Sequence, residues 1–486
     1  MKKSRLVDEM RQTARGPERA ALWTNRPCAN LTFGHCLQFR NLQRSRFEQS
    51  ARAAESVRQC SRLCSTPASQ PFRSGTSGKS GRAARPLFGV LALAFAVVVA
   101  RADDLPKSRA DAIDMEAKDA LPASNFYNSP SPLAPAAAGT LIRSEVFSGY
   151  DLPPGAHAIR ILYHSKARDG RDVSASGVVL IPRGTPPPGG WPVIAWAHGT
   201  SGVARQCAPS LMKDLEYGSE GLMPMVAAGF AVVATDYAGL GTPGPHEYDN
   251  KIAQANDVVY SMPAAHAAVP SLGTRWVAIG HSQGGSAVWG VAELEAILAD
   301  ATYAGAISVA GDMDFEWFEE HDAKSLKTIS AMYWPLTAFG VKATYPAFDP
   351  ARLLSAPFLE RYSDVTRNGC WDYAYAVADE LGNQPAVRPG WQQIPELRRY
   401  NADNHSGDRP IRGPLLVLAG DDDQSVNFTN IQRGVARACR NGLAIEFVHR
   451  AGLDHDPLME KTIDLQLAWT RDRLANKPWH SNACPK

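Results

Sequence analysis

The sequence predicts an α/β protein in which a mostly parallel central sheet is flanked by helices and interrupted by one large, mainly helical insertion. Three observations carry this. Short apolar runs alternate with helix-compatible segments. A G-x-S-x-G pentapeptide stands where one such run meets one such segment. An aromatic-rich stretch, 312–410, then breaks the alternation before it resumes.

The first strand-like runs cover 141–149, 156–164 and 174–182. The turn sequence GTPPPGG (184–190) closes them. Then follow PVIAWAH (192–198), FAVVATD (230–236), WVAIG (276–280), AGAISVA (304–310), PLLVLA (414–419) and AIEFV (444–448). Strands buried on both faces read as continuous apolar runs of this kind. The intervening segments 211–228, 250–268, 284–300, 428–440 and 457–475 are compatible with helices. The core is therefore expected at 141–311 and 411–486. The segment 312–410 is too long for a structureless loop. It is expected to form a cap or lid, most of its aromatics packing its own core and the rest available to an apolar substrate or a lipid interface.

The ends differ in charge. Residues 1–86 carry 17 Lys/Arg against 5 Asp/Glu, a balance of +12, and residues 103–486 carry 33 against 44, a balance of −11. Between them Leu87–Ala100 is an unbroken apolar run, preceded by Arg82 and Arg85 and followed by the small-x-small pattern Ala100-Arg101-Ala102. Basic flank, short apolar core and small-residue site describe a secretory signal peptide over 81–102. The run is short for a membrane span. Residues 1–80 are then a leader ahead of the true translation start, the alternative being a basic tail before an uncleaved anchor. The mature protein is expected to begin near Asp103, to be secreted or periplasmic, and to be acidic, which gives nucleic acid no purchase. Residues 103–140, rich in Ala and Pro, are expected to form an extended arm. Cys28, Cys36, Cys60 and Cys64 fall in the leader and receive no role. Cys207, Cys370, Cys439 and Cys484 remain, an even number that in an exported protein suggests two disulfides of undetermined pairing.

Gly280-His281-Ser282-Gln283-Gly284 follows an apolar strand and opens a helix, the context a nucleophile elbow demands. A serine hydroxyl is a weak nucleophile and needs a histidine base, which needs an acid to set its tautomer. Downstream, Gly420-Asp421-Asp422-Asp423 follows PLLVLA. Asp423 fits the frame G-x-x-D-x-x-V with Gly420 and Val426, and Asp421 is the alternative. His455, in the loop after the last strand, completes the chain order Ser, Asp, His. Backbone donors for an oxyanion are expected from Gln283 and from Thr200 in the loop His198-Gly199-Thr200-Ser201-Gly202.

The segments AWAHGTSGVARQCAPS (195–210) and GHSQGG (280–285) resemble the secretory lipase family, lipase-A-type serine hydrolases. The resemblance runs from about Leu141 to the C-terminus. It implies an α/β-hydrolase fold with a helical cap and activity on acylglycerols or simpler esters. It implies the triad Ser282, Asp423 and His455, and the disulfides Cys207–Cys370 and Cys439–Cys484. The DDD run departs from the family's usual G-T-x-D turn. The chemistry so described is acyl transfer to water, needing no cofactor and no metal. An exported peptidase or acyltransferase of the same fold is the alternative enzyme, and a catalytically dead binding protein the alternative class. Acyl chain length and oligomeric state have no sequence signature here.

Overall fold

The computed structural model describes residues 105–323 and 327–484. The leader, the signal segment and the first four cysteines lie outside the described residues. One nine-stranded sheet organises the chain, in the order β1-β2-β3-β5-β4-β6-β7-β8-β9. Its strands are β1 (Leu141–Phe147), β2 (His157–Lys166), β3 (Asp172–Ile181), β4 (Trp191–Ala197), β5 (Ala231–Thr235), β6 (Leu272–His281), β7 (Tyr303–Val309), β8 (Leu415–Gly420) and β9 (Glu446–Arg450). Pairs from β1 to β5 across β2 and β3 are antiparallel, and every pair from β5 onward is parallel.

The apolar runs are continuous because both faces are covered. On β4, Val193, Ala195 and Ala197 pack into one core, and Ile194 and Trp196 into the other. This is the period of two that a strand imposes. The first core is closed by α3 (Lys251–Ala268), α4 (Gln283–Leu298) and α11 (Phe428–Arg440). The second is closed by α2 (Met223–Ala227), α12 (His455–Lys461) and α13 (Ile463–Leu474).

Between β7 and β8 the chain forms α5 (Phe315–Asp322), α6 (Thr328–Ala331), α7 (Tyr333–Thr344), α8 (Ala356–Asn368), α9 (Trp371–Leu381) and α10 (Pro395–Asn404). Trp334, Phe348, Phe358, Val377 and Leu397 form a separate buried cluster there. Cys207 is bonded to Cys370, joining the loop after β4 to the start of α9. Cys439 is bonded to Cys484, joining the end of α11 to the C-terminal segment.

The structure departs from the sequence expectations in three places. Residues 103–140 are not simply extended. From Arg109 to Asp119 they form α1, N-capped by the Ser108 hydroxyl, and the Glu116 carboxylate accepts from the Cys370 and Tyr373 N–H groups at 2.9 Å. Only Ala112 on this helix is buried, so its attachment is polar and leaves no apolar period to read. The segment 211–228 is helical only in its second half. Leu215 and Glu216 take positive φ (64° and 69°), a π-helical turn covers Gly218–Leu222, and α-helix follows from Met223. The segment 457–475 is two helices divided at Thr462, and the first begins at His455 rather than after it.

Candidate active site

In the order β5-β4-β6 the strand sequence reverses direction across β4, so the loops after β4 and β6 open side by side at the carboxyl edge. Ala197 is in register with Gly280, which brings the Thr200 loop beside the residue after His281.

Ser282 sits there with φ 57° and ψ −121°, a conformation that costs a non-glycine residue strain and persists only where its surroundings hold it. The surroundings explain the small residues. A Cβ on Gly284 would lie 1.9 Å from the Ala197 carbonyl oxygen, and one on Gly280 would lie 2.1 Å from the Gly284 carbonyl oxygen. The Ser282 N–H is held by the Val309 carbonyl at 2.9 Å. Gln283 is the first residue of α4, so its N–H is one of the donors a helix leaves without an internal partner. Thr200 is 5% exposed, and its hydroxyl is 2.9 Å from that of Tyr248.

The three aspartates after β8 go to different places. Asp423 is buried. Its Oδ1 accepts the Ser425 and Val426 N–H groups at 2.9 and 2.7 Å, and its Oδ2 lies 2.8 Å from His455 Nδ1. Asp421 instead meets the exposed His449 at 3.0 Å and accepts the Gly452 N–H. Asp422 is exposed. A carboxylate at Nδ1 keeps the proton of a neutral imidazole on that nitrogen. The other nitrogen, Nε2, is buried with no partner among the described residues. Burial opposes the charged form of His455. The Asp423 carboxylate and its hydrogen bond, helped by Asp456 and Asp454, outweigh it and push the imidazole up to about 9.

His281 packs against His455 with ring centroids 4.6 Å apart, and its Nε2 is 3.2 Å from the His455 carbonyl oxygen. Burial, followed by the His455 charge, pushes His281 down to about 4, so it is neutral. His281, His455 and Asp456 bring donor atoms within 4.8 Å of one another, the one such trio among the described residues. A cation there would draw on the same His455 ring that Asp423 orients.

Ser282 opens onto two chambers. The first, with an empty volume of about 580 Å³ including its mouth, has Thr200, Gln283, Tyr248, Asp249, Asp312 and Phe315 in its wall. The second, about 610 Å³ on the same measure, has His455, Asp456, Glu216, Glu220 and Trp371. Tyr333, the first residue of α7, and Ser425 line both. Ser282, His455 and Thr200 thus meet in one cavity, with Asp423 behind the imidazole and Gln283 across the first chamber. Sequence reasoning missed Tyr248, Asp249, Asp312 and Tyr333. Tyr333 was visible only as one of many cap aromatics, and the other three lie in connections that carry no motif.

The structure is similar to several solved α/β enzymes. A ligand-bound form of the rice cell wall degrading esterase LipA from Xanthomonas oryzae aligns with a TM-score of 0.58 at 17% identity, covering 70% of this chain and 99% of that one. Candida antarctica lipase A aligns at 0.62 and 15%, covering 74% and 88%, and its closed state at 0.62 and 15%, covering 75% and 89%. No curated protein matches the chain. The model of the alpha/beta hydrolase family matches residues 178–464. A match over that span, on the sheet order and strand–elbow–helix geometry described above, means that the chain belongs to the alpha/beta hydrolase family.

Proposed function

We propose that this protein hydrolyses carboxylic esters through an acyl-enzyme on Ser282. The observation that carries the reading is the 2.8 Å contact of Asp423 with His455 Nδ1, which leaves Nε2 unpartnered in the cavity that Ser282 also lines. In this mechanism His455 Nε2 takes the hydroxyl proton as Ser282 Oγ attacks the ester carbonyl. The Gln283 and Thr200 N–H groups hold the oxyanion. The C–O bond to the alcohol breaks, and His455 returns its proton to the departing oxygen. Water then repeats the sequence on the acyl-enzyme and releases the acid. Asp423 keeps the imidazole in the required tautomer and stabilises its charged form.

Two further points belong to the proposal. Residues 312–410 act as a cap over the site, a role supported by their separate buried cluster and by Tyr333 in both chamber walls. The enzyme works outside the cytoplasm, which the two disulfides favour.

The test is a panel of p-nitrophenyl esters beside peptide anilides, with the wild type and Ser282→Ala. The reading expects ester turnover that falls by several orders of magnitude in the variant, and fluorophosphonate labelling that disappears with it. Near-normal turnover by Ser282→Ala would end the hypothesis. Preferential cleavage of anilides would move the protein to the peptidase alternative.

A further inference from the structure

The first chamber is an unusual wall for a hydrocarbon chain. Tyr248, Phe315 and Trp334 contribute rings, but Asp249 and Asp312 contribute carboxyl groups to the same space. Asp312 is 7% exposed. Its Oδ1 is committed to the Asn430 amide at 2.7 Å and the Asp314 N–H at 2.9 Å, which anchors the side chain. Asp249 is half-buried and lines the chamber beside Tyr248. Both carboxyls line the one chamber, and the charge of Asp312 raises Asp249. Burial first, and then the neighbouring aspartate, pushes Asp249 up to about 8. Burial pushes Asp312 up to about 7, with Asn430 opposing. An independent observation points the same way. Gln283 is 4% exposed and lines the chamber, and its amide oxygen has no partner among the described residues.

Acceptors therefore converge beside the nucleophile. Neither chamber has a lysine or arginine among its lining residues, and the second adds Glu216, Glu220 and Asp456. Such a wall is short of positive charge. A plain acyl chain would cover carboxyl groups without bonding them, whereas a cation would meet both the carboxylates and the ring faces.

We propose that the chamber of Asp249, Asp312, Tyr248, Phe315 and Trp334 recognises an ammonium group, so that the preferred esters carry an amine or quaternary ammonium a few bonds from the scissile carbonyl. This rests on the ester-hydrolase reading of Ser282, and the experiment separates the two.

Two pairs of esters of equal shape are compared at about pH 9, where the carboxyls are mostly ionised. Choline butyrate is set against 3,3-dimethylbutyl butyrate, and p-nitrophenyl 4-(trimethylammonio)butyrate against p-nitrophenyl 5,5-dimethylhexanoate. The expected result is a kcat/KM preference of tenfold or more for the cationic member of at least one pair. That ratio should fall several-fold in Asp249→Asn and in Asp312→Asn. A carboxamide oxygen at 312 can still accept from Asn430 and Asp314, and Asp249→Asn serves if the 312 variant does not fold. The second readout needs no turnover. Benzyltrimethylammonium binding to Ser282→Ala is followed by tryptophan fluorescence, and adding Asp249→Asn should weaken it about tenfold. Saturable, aspartate-dependent binding without hydrolysis of any ester would sustain the chamber and refute the hydrolase reading. Equal rates within both pairs, or binding unmoved by both aspartate variants, would overturn the chamber proposal while leaving ester hydrolysis standing.

Discussion

Replacing Asp423 by asparagine separates the three adjacent aspartates more sharply than any other change. The amide oxygen of Asp423→Asn can still accept the Ser425 and Val426 N–H groups that Oδ1 now holds, so the turn survives. The other atom becomes an NH₂ facing His455 Nδ1, where a carboxylate oxygen stands at 2.8 Å. That donor stabilises the wrong tautomer, with the proton on Nε2, and the base can no longer accept from serine. It also removes the charge that balances the imidazolium formed during attack. For charge centres about 4 Å apart at an effective dielectric of about 20, this attraction is about 4 kcal/mol. That alone corresponds to about 10³ in rate, and the tautomer reversal brings the loss toward the roughly 10⁴ that the same change costs in a chymotrypsin-type triad. The assay is kcat/KM on a soluble p-nitrophenyl ester, with thermal melting to confirm folding. Asp421→Asn is the control. Its partner is an exposed histidine on the strand end, and its turnover should stay within about twofold of wild type. A folded Asp423→Asn keeping more than about a tenth of wild-type activity, or an Asp421→Asn losing more than about 10³, would refute the assignment of the acid.

In the proposed mechanism the unprotonated form of His455 is the active one; its folded value is raised from 6.5 to about 9, so kcat/KM should climb with pH and reach its plateau only above about pH 9. A plateau already reached near pH 7 would show that the carboxylates do not hold the proton on the ring. Gly284→Ala puts a methyl 1.9 Å from the Ala197 carbonyl and should destabilise the fold by about 3 kcal/mol or more, read by chemical denaturation. Reducing or removing Cys207–Cys370, which closes a loop of 163 residues, releases up to about 5 kcal/mol of chain-entropy stabilisation, and dithiothreitol should lower Tm accordingly.

The central strands were legible because burial on both faces leaves their runs almost wholly apolar, and every predicted strand lies within a few residues of an observed one. The elbow at the proposed nucleophile was legible for a related reason. The turn at Ser282 tolerates no side chain at 280 or 284, and that intolerance is written locally as glycines. The aspartate that meets His455 was half legible. Turn spacing favoured Asp423, but what distinguishes it from Asp421 is where each carboxylate points after the chain has folded, and a sequence carries no such direction. The chamber was not legible at all. Asp249 stands before α3 and Asp312 after β7, and only the fold makes them neighbours. Helix α1 escaped for the opposite reason: its hold on the body is a carboxylate accepting two backbone N–H groups, and no hydrophobic period announces it.

The acidic wall has consequences for catalysis as well as recognition. In the proposed mechanism negative charge around His455 favours the imidazolium formed when Ser282 attacks, and it opposes the oxyanion formed at the same moment. The two demands can be met together only if the oxyanion is screened from the carboxylates by donors that touch it. The proposed donors, the Thr200 and Gln283 N–H groups, would do this without adding a cation. A lysine in either chamber would help the oxyanion but lower the affinity of His455 for its proton. The cost of the present arrangement falls on the resting enzyme, whose base is held protonated at neutral pH. Its benefit comes after deacylation. In the proposed mechanism the carboxylate product is met at alkaline pH by the ionised Asp249 and Asp312, and repulsion within a low-dielectric cavity favours its departure. An enzyme built this way should be slow at neutral pH, fast in alkali and little inhibited by its acid product.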